Sequence, residues 1–235
     1  MISHNHKFIH YEVPKTGSTT IREALTPYYD QSSDPELVSR MAWRRVRGKD
    51  STVPWKNGKR DHLAIPGLYR HMKPRGAEAY FKKIGWDYNS YYKFTFVRNT
   101  WDRVLSMYMY RCKRYKIVNE EFMKYSPHPR CSNDLYSLLI DPDPHKFRKY
   151  IKKLSHSIGS QLSYIQNVNY VGRTETLQQD FDVICDNIKI PQQHLKQINT
   201  TKHKPYVNYY DDHSRKLISD IFAEEIEYFN FKFEL

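Results

Sequence analysis

Residues 7–20 read KFIHYEVPKTGSTT, a β-rich run halted by Pro14 and continued as a polar turn with Gly17 at its centre. FIHYEV is dense in β-branched and aromatic residues, so a strand is expected at Lys7–Val13. The spacing of Ile21, Ala24 and Leu25 predicts a helix over Ser18–Tyr29 with one buried face. The turn between them, PKTGSTT, lies where an open α/β sheet places its ligands, beyond the carboxyl end of a strand. Gly17 allows close backbone approach, and the first amides of the helix point at whatever anion sits there. Ser18, Thr19 and Thr20 add hydroxyl donors, and Lys15 adds a mobile positive charge. The segment also reads as a helix start with Ser18 as its cap.

Further elements follow the same alternation. A helix is expected at Pro74–Ile84, a strand at Tyr91–Val97 and a long helix at Thr100–Arg114, with Val104, Leu105, Tyr108 and Met109 on one side. Residues 116–145 read as irregular. Helices at Pro144–Leu154, Thr176–Asn187 and Asp212–Phe229, with a short strand at Tyr170–Gly172, complete the pattern. Strands separated by helices imply βαβ crossovers, hence an α/β fold with a mainly parallel β-sheet flanked by helices. With 235 residues, no internal repeat and no low-complexity linker, one domain spanning 1–235 is the economical reading. A charged fraction of 27% is ordinary for a globular chain, so disorder is not expected.

Three cysteines, Cys112, Cys131 and Cys185, lack CxxC or zinc-ligand spacing, which argues against a disulfide framework and suits a reducing compartment. No apolar run approaches a membrane span, so a cytoplasmic protein with no membrane partner is expected. His4 and His6 read as part of a frayed polar N-terminus. The net charge of +12 favours polyanionic partners without choosing among nucleic acid, acidic polysaccharide and a multiply phosphorylated nucleotide.

A second candidate site lies at Tyr91–Asn99, YYKFTFVRN, and the following TWDRVLSMY. Arg98 stands at the carboxyl end of the second strand, and Ser106 lies inside the next helix. An arginine fork and a helix hydroxyl together suit a second phosphate. Taken singly, they read equally as a strand-end salt bridge and a helix-surface serine. In the Walker A pattern, lysine follows the glycines and is itself followed by a metal-binding hydroxyl. Here Lys15 precedes Gly17, and no strand ends in an aspartate suited to a metal, which disfavours a nucleotide-dependent kinase and calls for no metal. A basic nucleic-acid-binding module is the reading from another class, but it leaves PKTGSTT without a purpose.

PKTGSTT after one strand and FVRNTWDRVLSMY across the next strand–helix junction resemble the two donor-binding elements of the PAPS-dependent sulfotransferase superfamily. PAPS is 3′-phosphoadenosine 5′-phosphosulfate. The likeness is strongest to the carbohydrate branch that includes the uronyl 2-O-sulfotransferases. Tyr170–Phe181, YVGRTETLQQDF, and the closing segment Asn199–Phe233 extend it, while Thr100 stands where proline is frequent and Ser18 where glycine is. The resemblance implies the P-loop-like sulfotransferase fold and transfer of a sulfuryl group from PAPS to an acceptor hydroxyl, leaving PAP. It implies that Lys15, Thr16, Gly17, Ser18, Thr19 and Thr20 hold the 5′-phosphosulfate. Arg98 and Ser106 would take the 3′-phosphate, with Arg173 closing over the nucleotide or meeting an anionic acceptor. Lys15 is the first candidate for stabilising the leaving phosphate. Two general bases are carried over: His62 from the 2-O branch and Glu23 from the 3-O branch. Lys202 and His203 fall in a loop expected to close over the nucleotide or meet an anionic acceptor. Basic stretches at 44–49, 56–60, 111–116 and 146–153, with Trp43 and Trp55 beside the first two, suit an acidic carbohydrate acceptor. Without those partners, the same stretches read as solvated surface.

Overall fold

The computed structural model describes residues 2–28, 71–122, 138, 142–153, 158–196 and 204–234. His62, Trp43, Trp55, the basic stretches 44–49 and 56–60, Lys202 and His203 lie outside them.

Two strands carry the centre of the fold. β2 (Phe8–Tyr11) pairs in parallel with β3 (Tyr92–Val97), from Phe8 opposite Tyr92 to Tyr11 opposite Thr95. β3 pairs in parallel with β4 (Tyr170–Arg173), ending with Val97 opposite Arg173. β1 (Ile2–Ser3) folds back antiparallel on β2, giving the order β1-β2-β3-β4. This short hairpin replaces the frayed start expected from sequence. His4 accepts or donates at Nδ1 to the Tyr91 hydroxyl at 2.7 Å and lies edge-on to Trp86. Two residues of pairing are too few to leave a propensity signal.

The period-2 alternation of side chains sends each strand's residues to two covered faces. Phe8, Phe94 and Phe96 pack with Ile21 and Leu25 of α1 (Ser18–Leu25) and with Phe181, Ile184 and Ile188 of α5 (Leu177–Ile188). On the other face Ile9 and Tyr11 pack with Ala77, Tyr80 and Phe81 of α2 (Pro74–Ile84). Val97 packs with Trp101, Val104, Leu105 and Tyr108 of α3 (Thr100–Phe122), together with Phe147 and Tyr150 of α4 (Pro144–Lys153). The α/β arrangement expected from sequence is the one found.

The boundaries depart from expectation for local reasons. α1 gives way at Leu25 to a 3₁₀ turn over Thr26–Tyr28: Thr26 keeps helical backbone angles but donates to the Glu23 carbonyl three residues back, and Pro27 has no N–H to continue the ladder. α3 runs on to Phe122, past the end expected at Arg114 and into the stretch read as irregular, since neither glycine nor proline interrupts it. The last expected helix is two: α6 (Asp212–Ile221), opened by a capping box between Asp211 and Ser214, and α7 (Ala223–Phe229). They divide at Phe222, whose ring is buried beneath the Arg103 guanidinium at 5.6 Å. The C-terminal aromatics return to α3: Tyr210 donates to the Trp101 carbonyl at 2.8 Å, and Phe233 lies edge-on to Trp101 and Tyr210.

Gly172 in β4 has no room for a side chain. A Cβ there would stand 2.6 Å from Cε1 of Phe96 and 3.0 Å from Cβ of Asp180. Gly172→Ala is therefore expected to destabilise the protein by about 2 kcal/mol through overpacking, read as a fall in Tm of roughly 4–8 °C. An unchanged melting curve would show that Phe96 yields without cost.

Candidate functional site

β2 and β3 are adjacent and parallel, so the segments leaving their carboxyl ends emerge side by side. The first is the loop Pro14–Gly17. Thr16 is buried and donates its hydroxyl to the Val13 carbonyl at 3.0 Å, folding the loop back on the strand it leaves. Its hydroxyl is thus committed to the loop itself. Lys15 and Gly17 both adopt left-handed backbone geometry, at φ 72° and 74°. For Gly17 this is the permitted conformation of a residue without Cβ, whereas Lys15 holds it at a cost, and such strain gathers at functional sites. Gly17 stands at the N-cap position and brings no side chain to cap the first turn of α1, so the leading amides of that helix remain directed out along its axis. Ser18 and Thr20 are buried in this turn, and Thr19 is half-buried.

The second segment is the β3–α3 junction. Arg98 donates Nε to Asp102 Oδ2 at 2.7 Å and reaches the Lys15 carbonyl through Nη1 at 3.4 Å. The Lys15 ammonium lies over the Tyr110 ring, 4.3 Å from its centroid. Asp102, Ser106 and Tyr110 recur every fourth residue and therefore stack on one face of α3. Asp102 holds Arg98 at one end of that row and Tyr110 holds Lys15 at the other, with the largely buried Ser106 between them. The loop lysine, the strand-end arginine and the helix serine, separated in sequence by up to 91 residues, share one edge of the sheet.

The other expected residues are placed differently. Arg173 donates Nη2 to the Phe229 carbonyl at 2.7 Å and lies over the Phe231 ring, fastening the C-terminal segment to β4. Glu23 is exposed on α1. Its neighbour Arg22 instead forms a two-pronged pair with the buried Glu12 carboxylate, at 3.2 Å from Nε and 2.6 Å from Nη2. Burial alone would raise the Glu12 carboxyl, but nearby positive charge, the Arg22 fork included, outweighs it and holds the group at about 2.

Three contributors escaped the sequence reading. His71 precedes α2, and its Nδ1 lies 2.7 Å from the carbonyl oxygen of Glu12, at the carboxyl end of β2. A carbonyl can only accept, so Nδ1 carries the hydrogen and Nε2 the lone pair of the neutral ring. The chain signal was present in His71-Met72-Lys73-Pro74, where the proline marks a helix start. Gln161 and Glu225 belong to no motif. Gln161 Oε1 accepts the Arg98 N–H and its Nε2 donates to the Arg98 carbonyl, both at 2.9 Å. Glu225 is buried and accepts from Thr100 Oγ1 at 2.7 Å, Arg103 Nη2 at 3.4 Å, Ser160 Oγ at 3.0 Å and the Gln161 main-chain N–H at 2.6 Å. It also accepts from Gln161 Nε2 at 2.7 Å.

A profile of the sulfotransferase family matches residues 1–232, and the chain belongs to that family. A search among curated proteins returns no match. Among the described residues, no helix is long and apolar enough to cross a membrane.

The Arg22–Glu12 pair has a pH signature. A carboxyl held below its ordinary value of 4.5 adds stability that is complete above that value and is lost as pH falls towards about 2. Arg22→Met is expected to cost about 2 kcal/mol at neutral pH. The cost should shrink when Tm is measured at steps from pH 5 to pH 2, and a penalty that does not vary with pH would rule the pair out as its source.

Proposed function

We propose that the protein transfers a sulfuryl group from PAPS to a hydroxyl of a carbohydrate acceptor, releasing PAP. The observation that carries this reading is the junction of Arg98 with the Lys15 loop, which gives one adenosine bisphosphate a cationic group for each of its phosphates within a single edge of the sheet. The amides of Thr16–Thr20, the hydroxyls of Ser18, Thr19 and Thr20, and Lys15 take the 5′-phosphosulfate, while the Thr16 hydroxyl holds the loop in shape. Arg98 and Ser106 take the 3′-phosphate, the group that separates this donor from ATP-like nucleotides. Arg173 serves the nucleotide site through the C-terminal segment it fastens.

The acceptor oxygen attacks sulfur in line, the bond from sulfur to the bridging phosphate oxygen breaks, and the acceptor proton passes to a base. Charge grows on the departing phosphate. In this reading the Lys15 ammonium, drawn from the Tyr110 ring, and the α1 amides meet that phosphate and bind the transition state more strongly than the ground state. Family membership supports sulfuryl transfer. The carbohydrate assignment rests on the likeness to the 2-O branch and on the surplus of basic residues, which suits an acidic glycan.

Thermal shift tests the nucleotide assignment. PAP is expected to stabilise the protein more than ATP, 5′-AMP or a DNA duplex, and Arg98→Ala to remove most of the difference between PAP and 5′-AMP. Lys15→Met is expected to lower kcat by about 10²–10³-fold with a smaller change in PAP affinity. Equal shifts from PAP and 5′-AMP in the unaltered protein would defeat the reading.

The base is assigned to a histidine: His62 by resemblance, His71 by its tautomer and its place at the end of β2. Glu23, exposed on α1, is the third candidate. A base must be unprotonated to act, so activity falls as pH drops through its pKa. His71→Ala is expected to flatten the acidic limb of the kcat/KM profile and to cost about 10²–10⁴-fold. Retention of that limb in His71→Ala and its loss in His62→Ala would transfer the role to His62.

A further inference from the structure

We infer that Gln161, clamped by Glu225, is a positioning residue for the donor's 3′-phosphate, acting through the backbone of Arg98; this rests on the assignment of Arg98 to that phosphate. The regular ladder of the sheet runs out just before Arg98. β4 ends opposite Val97, and the Val97 carbonyl accepts from both the N–H and the hydroxyl of Thr174, at 2.8 and 3.0 Å. Past that point the chain must turn into α3, and Arg98 stands in the turn.

The Gln161 side chain supplies what a further strand residue would have supplied. Its primary amide meets the N–H and the carbonyl of Arg98 together, so the two peptide groups flanking the Arg98 Cα are held from one side. The orientation of that amide is forced. The Arg98 N–H needs an acceptor, while the Arg98 carbonyl and the Glu225 carboxylate both need donors, and only one of the two flips satisfies all three. Glu225 also takes the Gln161 main-chain N–H, so both ends of the glutamine are fixed by one carboxylate. The Arg98 side chain then runs away from this clamp to Asp102 and the Lys15 carbonyl. Gln161 is fully buried and meets the site through Arg98. Its effect on ligand binding is confined to where the guanidinium stands. The Gln161 amide atoms and both Glu225 oxygens are paired, which holds this part of the buried network in one arrangement, and displacement of a binding group by about 1 Å is enough to impair binding.

The test compares PAP with 5′-AMP, which lacks the 3′-phosphate, by titration calorimetry on the full chain. Gln161→Met removes both amide contacts at similar length. Gln161→Asn keeps the amide but withdraws it by one methylene, and it serves where the methionine variant does not fold. The Kd for PAP is expected to rise about tenfold or more while the Kd for 5′-AMP stays within about twofold, with KM for PAPS rising more than kcat falls. A folded variant that keeps the full preference for PAP, or that loses both nucleotides equally, overturns the inference. The underlying assignment fails separately: in that case the unaltered protein shows no preference for PAP, or Arg98→Ala leaves the preference intact.

Discussion

A single buried carboxylate governs how this molecule is assembled. Glu225, contributed by the last helix, gathers donors from the start of α3 and from the Ser160–Gln161 turn, across sequence separations of 125 and 64 residues. A charge this deep is tolerated only when its lone pairs are filled and an opposite charge stands near. Arg103, equally buried and pushed down in pKa by that burial, supplies the charge, while Thr100, Ser160 and Gln161 fill the remaining positions. Loss of either partner strands the other. The cost of such a network is repaid in uniqueness more than in stability, because the C-terminal segment has one way to dock. The backbone of the strand-end arginine is consequently held by groups from the final third of the chain.

The rest of the site follows from sheet geometry. Parallel neighbours send their exits to the same edge, so a loop and a strand–helix junction separated by more than seventy residues arrive together without any contact designed for that purpose. Both faces of the central strands are covered by helices, which locks the edge in place. Local devices then shape it: the Thr16 hydroxyl turned inward, the left-handed backbone at Lys15 and Gly17, and the i+4 row on α3 that spans from Asp102 to Tyr110.

Much of this was legible because it is written in local periodicity. FIHYEV and YYKFTFV announce strands by composition, Ile21 and Leu25 or Val104 and Tyr108 announce buried helix faces, and PKTGSTT stands where an anion loop belongs. What stayed hidden depends on distant partners. Nothing adjacent to Gln161 marks it as a backbone surrogate for Arg98, since its meaning lies 63 residues away. The break at Phe222 carries no proline or glycine and is set by packing against Arg103. Arg173 was assigned to the nucleotide from the motif around it, yet its guanidinium is directed by a carbonyl at the end of α7, a residue 56 positions on. Pro74 marks the helix start after His71 but gives the histidine no role, and only its carbonyl partner reveals which nitrogen bears the proton.

The aromatic perch of Lys15 has an entropic consequence. A lysine side chain confined on binding forfeits up to roughly 2 kcal/mol of rotamer freedom. With its ammonium resting on the Tyr110 ring, part of that loss is already incurred in folding. An arriving anion then draws the charge from one ordered position to another, and more of the electrostatic attraction survives as affinity.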